Sequence, residues 1–336
     1  MNLVSANVSP TQSIVSGAPI ELGFDRLLLP SAVTRQTFIV QDLFGDYLEP
    51  SPAYDPVSRV VRLCLVLPPD LTYKVSIVPT ALLAIDGAQL SSSSPTLIEF
   101  NVAAGPPYEG ADRCPQAPAG GSEPEGGVPV DAGVDAAGPG NADAGMGVTV
   151  SPPPAVDFCS QVLPIFASKC GGSSCHSSSL PAAGLQMTSA AGIEATAIGR
   201  VAQGSNTGSR AITTAPNAGG VFGVDMAIIA PGDPGDSWLL YKLLMADPPP
   251  CSSTPGAAPC DAGVATVEDD LWNVPWTPIS DSERATLAGY IPGREMPYPT
   301  DPNAPLAGAT APLTVDELDL VSEWILQGAS VQTCMQ

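Results

Sequence analysis

The stretch KCGGSSCH, residues 169–176, governs how the rest of the fold is interpreted, because it places two thiols next to an imidazole. His176 is the only histidine in the 336 residues. Catalytic triads and zinc clusters that need an imidazole would therefore have to be built at this position. No nucleophile elbow or phosphate-binding loop occurs elsewhere in the sequence, so a hydrolase has little support.

Cys170, Cys175 and His176 occur in the order that covalent haem attachment requires, with two thiols followed directly by an imidazole. Four small residues separate the cysteines, whereas the usual spacing is two, and such residues can loop out. Met296, in the proline-stiffened segment YIPGREMPYP at 290–299, is the candidate for a sixth iron ligand. The stretch therefore predicts one covalent haem c. A small Cys170–Cys175 disulfide loop beside a surface histidine is the alternative.

Helical periodicity surrounds this stretch. Residues 158–170 predict a first helix with Asp157 as its N-cap, and a second begins near 233–236. The motifs SDSE at 280–283 and TVDE at 314–317 predict capping boxes that begin two more helices. Long loops rich in Gly, Ala, Ser and Pro lie between them, which suggests that a buried cofactor organises the region.

The helical half resembles the mono-haem cytochrome c domains of multidomain exported bacterial proteins. The resemblance lies in residues 158–176, 184–187, 230–239, 296–297 and 324–329. It implies haem thioethers at Cys170 and Cys175, iron ligation by His176 and Met296, and packing of the first helix against the last. That packing would favour a Cys159–Cys334 disulfide; the sequence layout adds Cys64–Cys114 and Cys251–Cys260 as expected pairs.

The first hundred residues differ from this half. Segments rich in Val, Ile, Leu and Thr at 3–8, 19–24, 37–43, 47–54, 59–67, 72–78 and 96–102 predict the strands of an antiparallel sandwich. Residues 20–25, 67–75 and the Gly45 turn resemble bacterial immunoglobulin-like domains of surface proteins. Tyr73 would then be the corner tyrosine, although an aromatic side chain half-buried on a strand is an equal alternative.

The expected fold class is thus multidomain. It comprises an N-terminal all-β immunoglobulin-like sandwich at 1–104, a Gly/Pro/Ala/Asp-rich disordered linker at 105–155, and a mainly α cytochrome c-like domain with long loops at 156–336.

Charge and cysteine content limit the partners and the compartment. The net charge of −22 would repel nucleic acid and anionic membrane surfaces. Eight cysteines favour an exported protein, whether periplasmic, outer-surface or extracellular, although no signal peptide or membrane span is visible. The predicted function is electron transfer to a redox partner protein rather than enzymatic catalysis. Peroxidase-like activity is expected only if Met296 does not bind the iron. A disulfide-stapled adhesion or scaffold protein without haem is the alternative.

Overall fold

Short β-strands fill the N-terminal part of the computed structural model. It describes residues 1–105, 108, 155–172, 175–177, 181–204, 222, 225–246, 278–291, 295–297, 312–331 and 334. The strands are β1 Leu3–Ala6, β2 Ser13–Val15, β3 Ile20–Phe24, β4 Phe38–Asp42, β5 Tyr47–Leu48, β6 Ser51–Asp55, β7 Val60–Cys64, β8 Thr72–Ile77 and β9 Leu97–Ala103.

These strands form two sheets. One has the order β1-β3-β7-β6 and is antiparallel; the other has the order β2-β9-β8-β4-β5, in which β2 pairs with β9 in parallel. The predicted strand at 47–54 is two strands, because the chain leaves one sheet after Leu48 and joins the other at Ser51. Pro50 lies at this crossing, and proline has no N–H to donate to a ladder. The short strand β2 was not predicted.

Alternating burial along β8 and β9 gives the sandwich its core. Every second residue of β9, from Ile98 to Val102, is buried, while its neighbours are exposed. Among the described residues, the buried side chains of this core all come from the sandwich and include Phe38, Val75 and Phe100, and Tyr108 packs partly buried against them. Tyr73 also lies in this core, and its hydroxyl donates to the Pro68 carbonyl at 2.9 Å. The sandwich can therefore bury its own apolar side chains.

The second half of the described chain is helical. A π-helical turn, Phe158–Val162, leads into the first of these α-helices: α1 Leu163–Cys170, α2 Ala190–Thr196, α3 Trp238–Leu244, α4 Asp281–Tyr290 and α5 Val315–Leu326. The predicted N-cap is present, since Asp157 accepts a hydrogen bond from the Ser160 N–H at 2.7 Å. Both predicted capping boxes form, at Ser280 and at Thr314. Helix α3 starts later than predicted, after Ser237.

The first and last helices pack together. The Trp324 ring of α5 lies 5.4 Å from that of Phe158 and 5.9 Å from that of Phe166, measured between ring centroids. A disulfide between Cys159 and Cys334 joins the same two ends across 175 residues of sequence. It is the pair that the cytochrome resemblance implied.

Three sandwich residues belong to the core of the helical half. Leu27, Val57 and Ile85 are at most 4% exposed and lie in one apolar cluster with helical residues such as Trp324 and Leu240. Burial of apolar surface between the two halves favours their association. The predicted division into separate domains stays a prediction, but the described residues of the two halves share this core.

Hydrogen bonds also join the halves. Glu283 of α4 is 1% exposed, and its Oε1 accepts from the Leu27 N–H at 2.6 Å. The Ser322 hydroxyl of α5 donates to the Asp55 carboxylate of β6 at 2.8 Å. A side chain at Gly235 would place its Cβ 2.7 Å from the Tyr54 carbonyl oxygen, so this contact requires glycine.

Candidate functional site

The Cys170–His176 loop begins where helix α1 ends. Cys170 is the last residue of α1, and a side chain on the next residue, Gly171, would collide with the Ala167 carbonyl. The chain then turns back on itself: the His176 N–H donates to the Cys170 carbonyl at 3.0 Å, and the Cys175 N–H donates to the Gly172 carbonyl at 2.8 Å. These bonds hold the backbones of Cys170, Cys175 and His176 next to one another, as the motif predicted.

The His176 side chain faces backbone oxygens. It is 8% exposed, and its Nδ1 lies 3.1 Å from the Ala182 carbonyl oxygen. Burial lowers the pKa of His176, an effect larger than the opposite one of the Ala182 and Leu185 carbonyls. The imidazole is therefore a buried side chain and not the surface side chain that the disulfide-loop alternative expected.

Cys170 and Cys175 both carry thiols. Cys170 is buried in the helical core, and Cys175 is partly exposed. Burial raises the pKa of the Cys170 thiol to about 12, with a further contribution from the neighbouring Cys175 and an opposing one from Lys169. The small disulfide loop of the alternative interpretation is thus not formed in this structure.

Met296 lies beside helix α3. It packs partly buried against the helical core, and its N–H donates to the Lys242 carbonyl of α3 at 3.2 Å. Lys242 lies one residue before Leu243, which is also part of that core.

The haem prediction is corrected by these findings. Among the described residues, no three His, Cys, Asp or Glu side chains cluster so that they could hold a metal ion. The one imidazole is buried against protein carbonyls, and Cys170 is a buried core thiol. No cytochrome profile matches the sequence either. The covalent haem c, its iron and the cytochrome resemblance are therefore wrong as predictions, and with them the electron-transfer function loses its basis.

The remaining predicted disulfides are only partly within the described structure. Cys64 is disulfide-bonded. Its predicted partner Cys114 and the predicted pair Cys251–Cys260 lie outside the described residues.

A second candidate site was missed in the sequence. The turn between β4 and β5 exposes three large apolar side chains: Leu43 is 57% exposed, Phe44 85% and Tyr47 74%. Contiguous exposed apolar groups of this kind are typical of interaction sites, whereas isolated ones are common on any surface. Apolar residues on both sides of Gly45 are the available sequence signal; Leu43 and Tyr47 fall at the ends of predicted strands, and Phe44 falls in the predicted turn.

Hydrogen bonds hold this turn in one conformation. One carboxylate oxygen of Asp42 accepts from the Phe44 N–H at 2.8 Å and from the Asp46 N–H at 2.9 Å. Gly45 has φ +87°, a backbone conformation that glycine adopts easily, and its N–H donates to the Asp42 carbonyl at 3.2 Å. The turn thus presents its apolar side chains from an ordered backbone.

Charged groups lie between the two halves. The Arg62 guanidinium is 3.0 Å from the Glu21 carboxylate and 3.8 Å from that of Asp55. Asp319 of α5 is on the other side of this contact, and burial raises its pKa to about 7, with smaller contributions from Asp55, Asp316 and Glu323. The charge of this cluster, and with it the stability of the contact between the two halves, should therefore depend on pH.

Comparisons with known proteins identify no family. No protein-family profile matches the chain, and no curated protein matches it. Within the described residues, no helix has the length and apolar character needed to cross a membrane.

Solved structures of S-layer proteins are similar to part of the chain. A crystal structure of the S-layer protein rSbsC shares 15% identity over 30% of this chain and 14% of that chain, with a TM-score of 0.23. A structure of domains 1–6 of the surface layer protein SbsC shares 13% sequence identity over 30% of this chain and 13% of that chain, with a TM-score of 0.24. A crystal structure of the N-terminal part of the bacterial S-layer protein SbsC shares 14% sequence identity over 30% of this chain and 24% of that chain, also with a TM-score of 0.24. The chain thus spans less than a quarter of those proteins, and scores this low carry no argument about function.

Proposed function

We propose that this protein is an exported, disulfide-stapled adhesion or scaffold protein that binds another protein through the β4–β5 turn. The observation that carries the proposal is the exposure of Leu43, Phe44 and Tyr47 on an ordered turn. Aromatic anchors supply much of the energy in protein interfaces, because they bury a large apolar area in a partner's pocket.

The ordered turn makes binding less costly in entropy. Asp42 and Gly45 fix the backbone on which Phe44 is carried, so little conformational freedom is lost when a partner covers it. Burial of a phenylalanine side chain contributes roughly 1.5–3 kcal/mol. This anchor and its two apolar neighbours would therefore form the centre of a larger interface.

Charge identifies the kind of partner. The exposed carboxylate of Asp46 lies beside the apolar tip, that of Glu49 is paired with the Arg35 guanidinium at 3.2 Å, and the whole chain carries a net charge of −22. Two copies of this chain would repel each other, whereas a protein with basic side chains around an apolar pocket would be attracted. We therefore assign the turn to a different protein with such a pocket rather than to a second copy.

The sandwich suits this role as an immunoglobulin-like module. Its two sheets place β1, β3, β7 and β6 in one layer and β9, β8 and β4 in the other, which corresponds to the strand order of that fold. The hydrogen bond from the Tyr73 hydroxyl to the Pro68 carbonyl corresponds to a tyrosine corner. Both features support the assignment of the sandwich to this class of binding module.

Export is supported by the cysteines. The Cys159–Cys334 disulfide and the disulfide-bonded Cys64 are typical of proteins in oxidising compartments. We place the protein in the periplasm, on the outer surface or outside the cell, where it acts by binding rather than by catalysis.

A crosslinking experiment tests the binding surface. A photoreactive phenylalanine analogue is placed at Phe44 of the full chain in the cells that produce it and, as a control, at Val66, an isolated apolar residue that is 81% exposed on the same sandwich. A protein crosslinked only from position 44 is then purified and titrated with the intact chain. The proposal expects Phe44→Ala to weaken this binding at least about tenfold and Val66→Ala to leave it unchanged.

The dependence of binding affinity on salt concentration tests the contribution of charge. The affinity should fall as ionic strength rises, because the proposed pocket is rimmed by basic groups. The proposal fails if position 44 crosslinks nothing that position 66 does not, if Phe44→Ala binds normally, or if the crosslinked protein is a second copy of this chain.

A further inference from the structure

Two chemically different thiols lie close together at the end of helix α1. Elsewhere Cys159 and Cys334 are joined in a disulfide, and Cys64 is disulfide-bonded, while Cys170 and Cys175 carry thiols. Cys159 lies in the π-helical turn directly before α1, so all these cysteines share one compartment. The difference between the disulfide-bonded cysteines and these two thiols therefore arises from the local surroundings of each cysteine.

The backbone places the pair near disulfide geometry. The hydrogen bond from the His176 N–H to the Cys170 carbonyl, 3.0 Å long, keeps the Cα atoms of Cys170 and Cys175 within roughly 8 Å of each other. Disulfides join Cα atoms that are roughly 4.4–6.8 Å apart. The Cys175 thiol also acts electrostatically on that of Cys170, as expected for neighbouring sulfurs. A bond between them forms once their Cα atoms lie within this range.

The two thiols differ in access. Cys170 is 7% exposed and packs in the helical core, and its raised pKa keeps it protonated. Cys175 is partly exposed, so a small disulfide compound reaches it first.

We propose that Cys170 and Cys175 form a reversible redox pair that exchanges with low-molecular-weight disulfides. Cys175 loses its proton and attacks one sulfur of the compound, which forms a mixed disulfide and releases one thiolate. Cys170 then loses its proton and attacks the Cys175 sulfur, which forms the Cys170–Cys175 bond and releases the second thiolate. The two released thiolates take up the two protons, so one disulfide is consumed and one is formed.

The short loop between Cys170 and Cys175 makes their disulfide easier to reduce than the Cys159–Cys334 disulfide. A disulfide across five residues constrains the unfolded chain far less than one across the 175 residues between Cys159 and Cys334. In the chain-entropy account, this difference makes the Cys170–Cys175 bond more than about tenfold easier to reduce. The pair can therefore change state while the staple between the first and last helices persists.

Glutathione disulfide is the probe for this pair. The full chain is equilibrated in mixtures of reduced and oxidised glutathione, alkylated, digested and analysed by mass spectrometry. The proposal expects a Cys170–Cys175 disulfide in the oxidised mixtures, and its reduction in mixtures that leave Cys159–Cys334 intact, which serves as the internal control.

Single-cysteine variants test the order of the steps. Cys170→Ala should accumulate a mixed disulfide of glutathione at Cys175, and Cys175→Ser should leave Cys170 slow to react. The proposal is overturned if both thiols of the intact protein are still alkylated after oxidation, if either pairs with a different cysteine, or if another covalent group occupies either sulfur. The measurement on the unaltered chain decides the question even if a variant does not fold.

Discussion

The sandwich and the helical half achieve stability in different ways. The buried core described for the sandwich consists of its own residues, and hydrogen-bonded ladders join its neighbouring strands. The helical half has short helices, the longest described one being the 12 residues of Val315–Leu326, and its core includes Leu27, Val57 and Ile85 of the sandwich. Helices this short are marginal in isolation. Among the described residues, the core of the helical half therefore includes side chains of the sandwich, whereas the core of the sandwich includes none of the helical half.

Removal of the Cys159–Cys334 disulfide should have the largest effect. The double variant Cys159→Ala/Cys334→Ala should lose about 5 kcal/mol of unfolding free energy in the helical half, because the bond spans 175 residues. All four tryptophans lie in this half, so tryptophan fluorescence during denaturant unfolding reports it selectively. The β-sheet signal in circular dichroism reports the sandwich, whose midpoint should change less. Equal changes of both midpoints would contradict the proposed asymmetry.

Two matched capping glutamates measure the contribution of the interface. Glu283 and Glu317 complete the same capping box in α4 and α5, but Glu283 also accepts from the Leu27 N–H of the sandwich, whereas Glu317 lies 3.6 Å from the Lys169 ammonium within the helical half. Glu283→Ala should lower the unfolding free energy by about 2–3 kcal/mol, since it leaves a buried N–H without its acceptor. Glu317→Ala should cost about 1 kcal/mol. Equal losses in thermal or denaturant unfolding would show that the Leu27 contact contributes nothing.

The smallest effect expected is a pH dependence at the same interface. The folded pKa of Asp319, about 7, exceeds the unfolded value of about 3.9, so the folded state holds the proton more tightly. Its contribution to stability is full below pH ~4 and is lost as the pH rises to about 7. Burial is the main cause of the raised pKa, and Asp55, Asp316 and Glu323 add to it.

Asp319→Asn should flatten this dependence. Unfolding free energies measured between pH 4 and 8 should differ between the variant and the unaltered chain by about 1 kcal/mol, after allowance for solvent screening. The exposed Asp46 on the β4–β5 turn provides the control variant Asp46→Asn, which should keep the dependence. A variant at Asp319 that retains the full pH profile would assign the dependence to other groups.

Local sequence patterns predicted most of the secondary structure. The alternation in β8 and β9 and the capping boxes at Ser280 and Thr314 depend on neighbouring residues, and these elements form where they were expected. The division of 47–54 into β5 and β6 depends on which sheet each part joins, which the local pattern does not contain. The three-residue β2 was missed for the same reason, since it exists through its pairing with β9.

The candidate sites illustrate the same limit. Cys170, Cys175 and His176 are close in sequence, so their proximity was predictable, but the burial that sets their chemistry comes from distant segments. Gly235 belongs to a segment on which the cytochrome resemblance relied, yet here its lack of a side chain allows contact with Tyr54. A shared motif thus had a packing role that only the tertiary structure reveals.

The shared core has a consequence for how this chain can evolve. Proteins composed of independent modules can exchange one module for another by recombination, because each module brings its complete interior. Here Leu27, Val57 and Ile85 are part of the interior of the helical half, although they are encoded in the sandwich. A replacement sandwich would have to bring three matching apolar side chains and an N–H for Glu283. Exchange of the sandwich alone would therefore leave the interior of the helical half incomplete, despite the long Pro- and Gly-rich segment between the two halves.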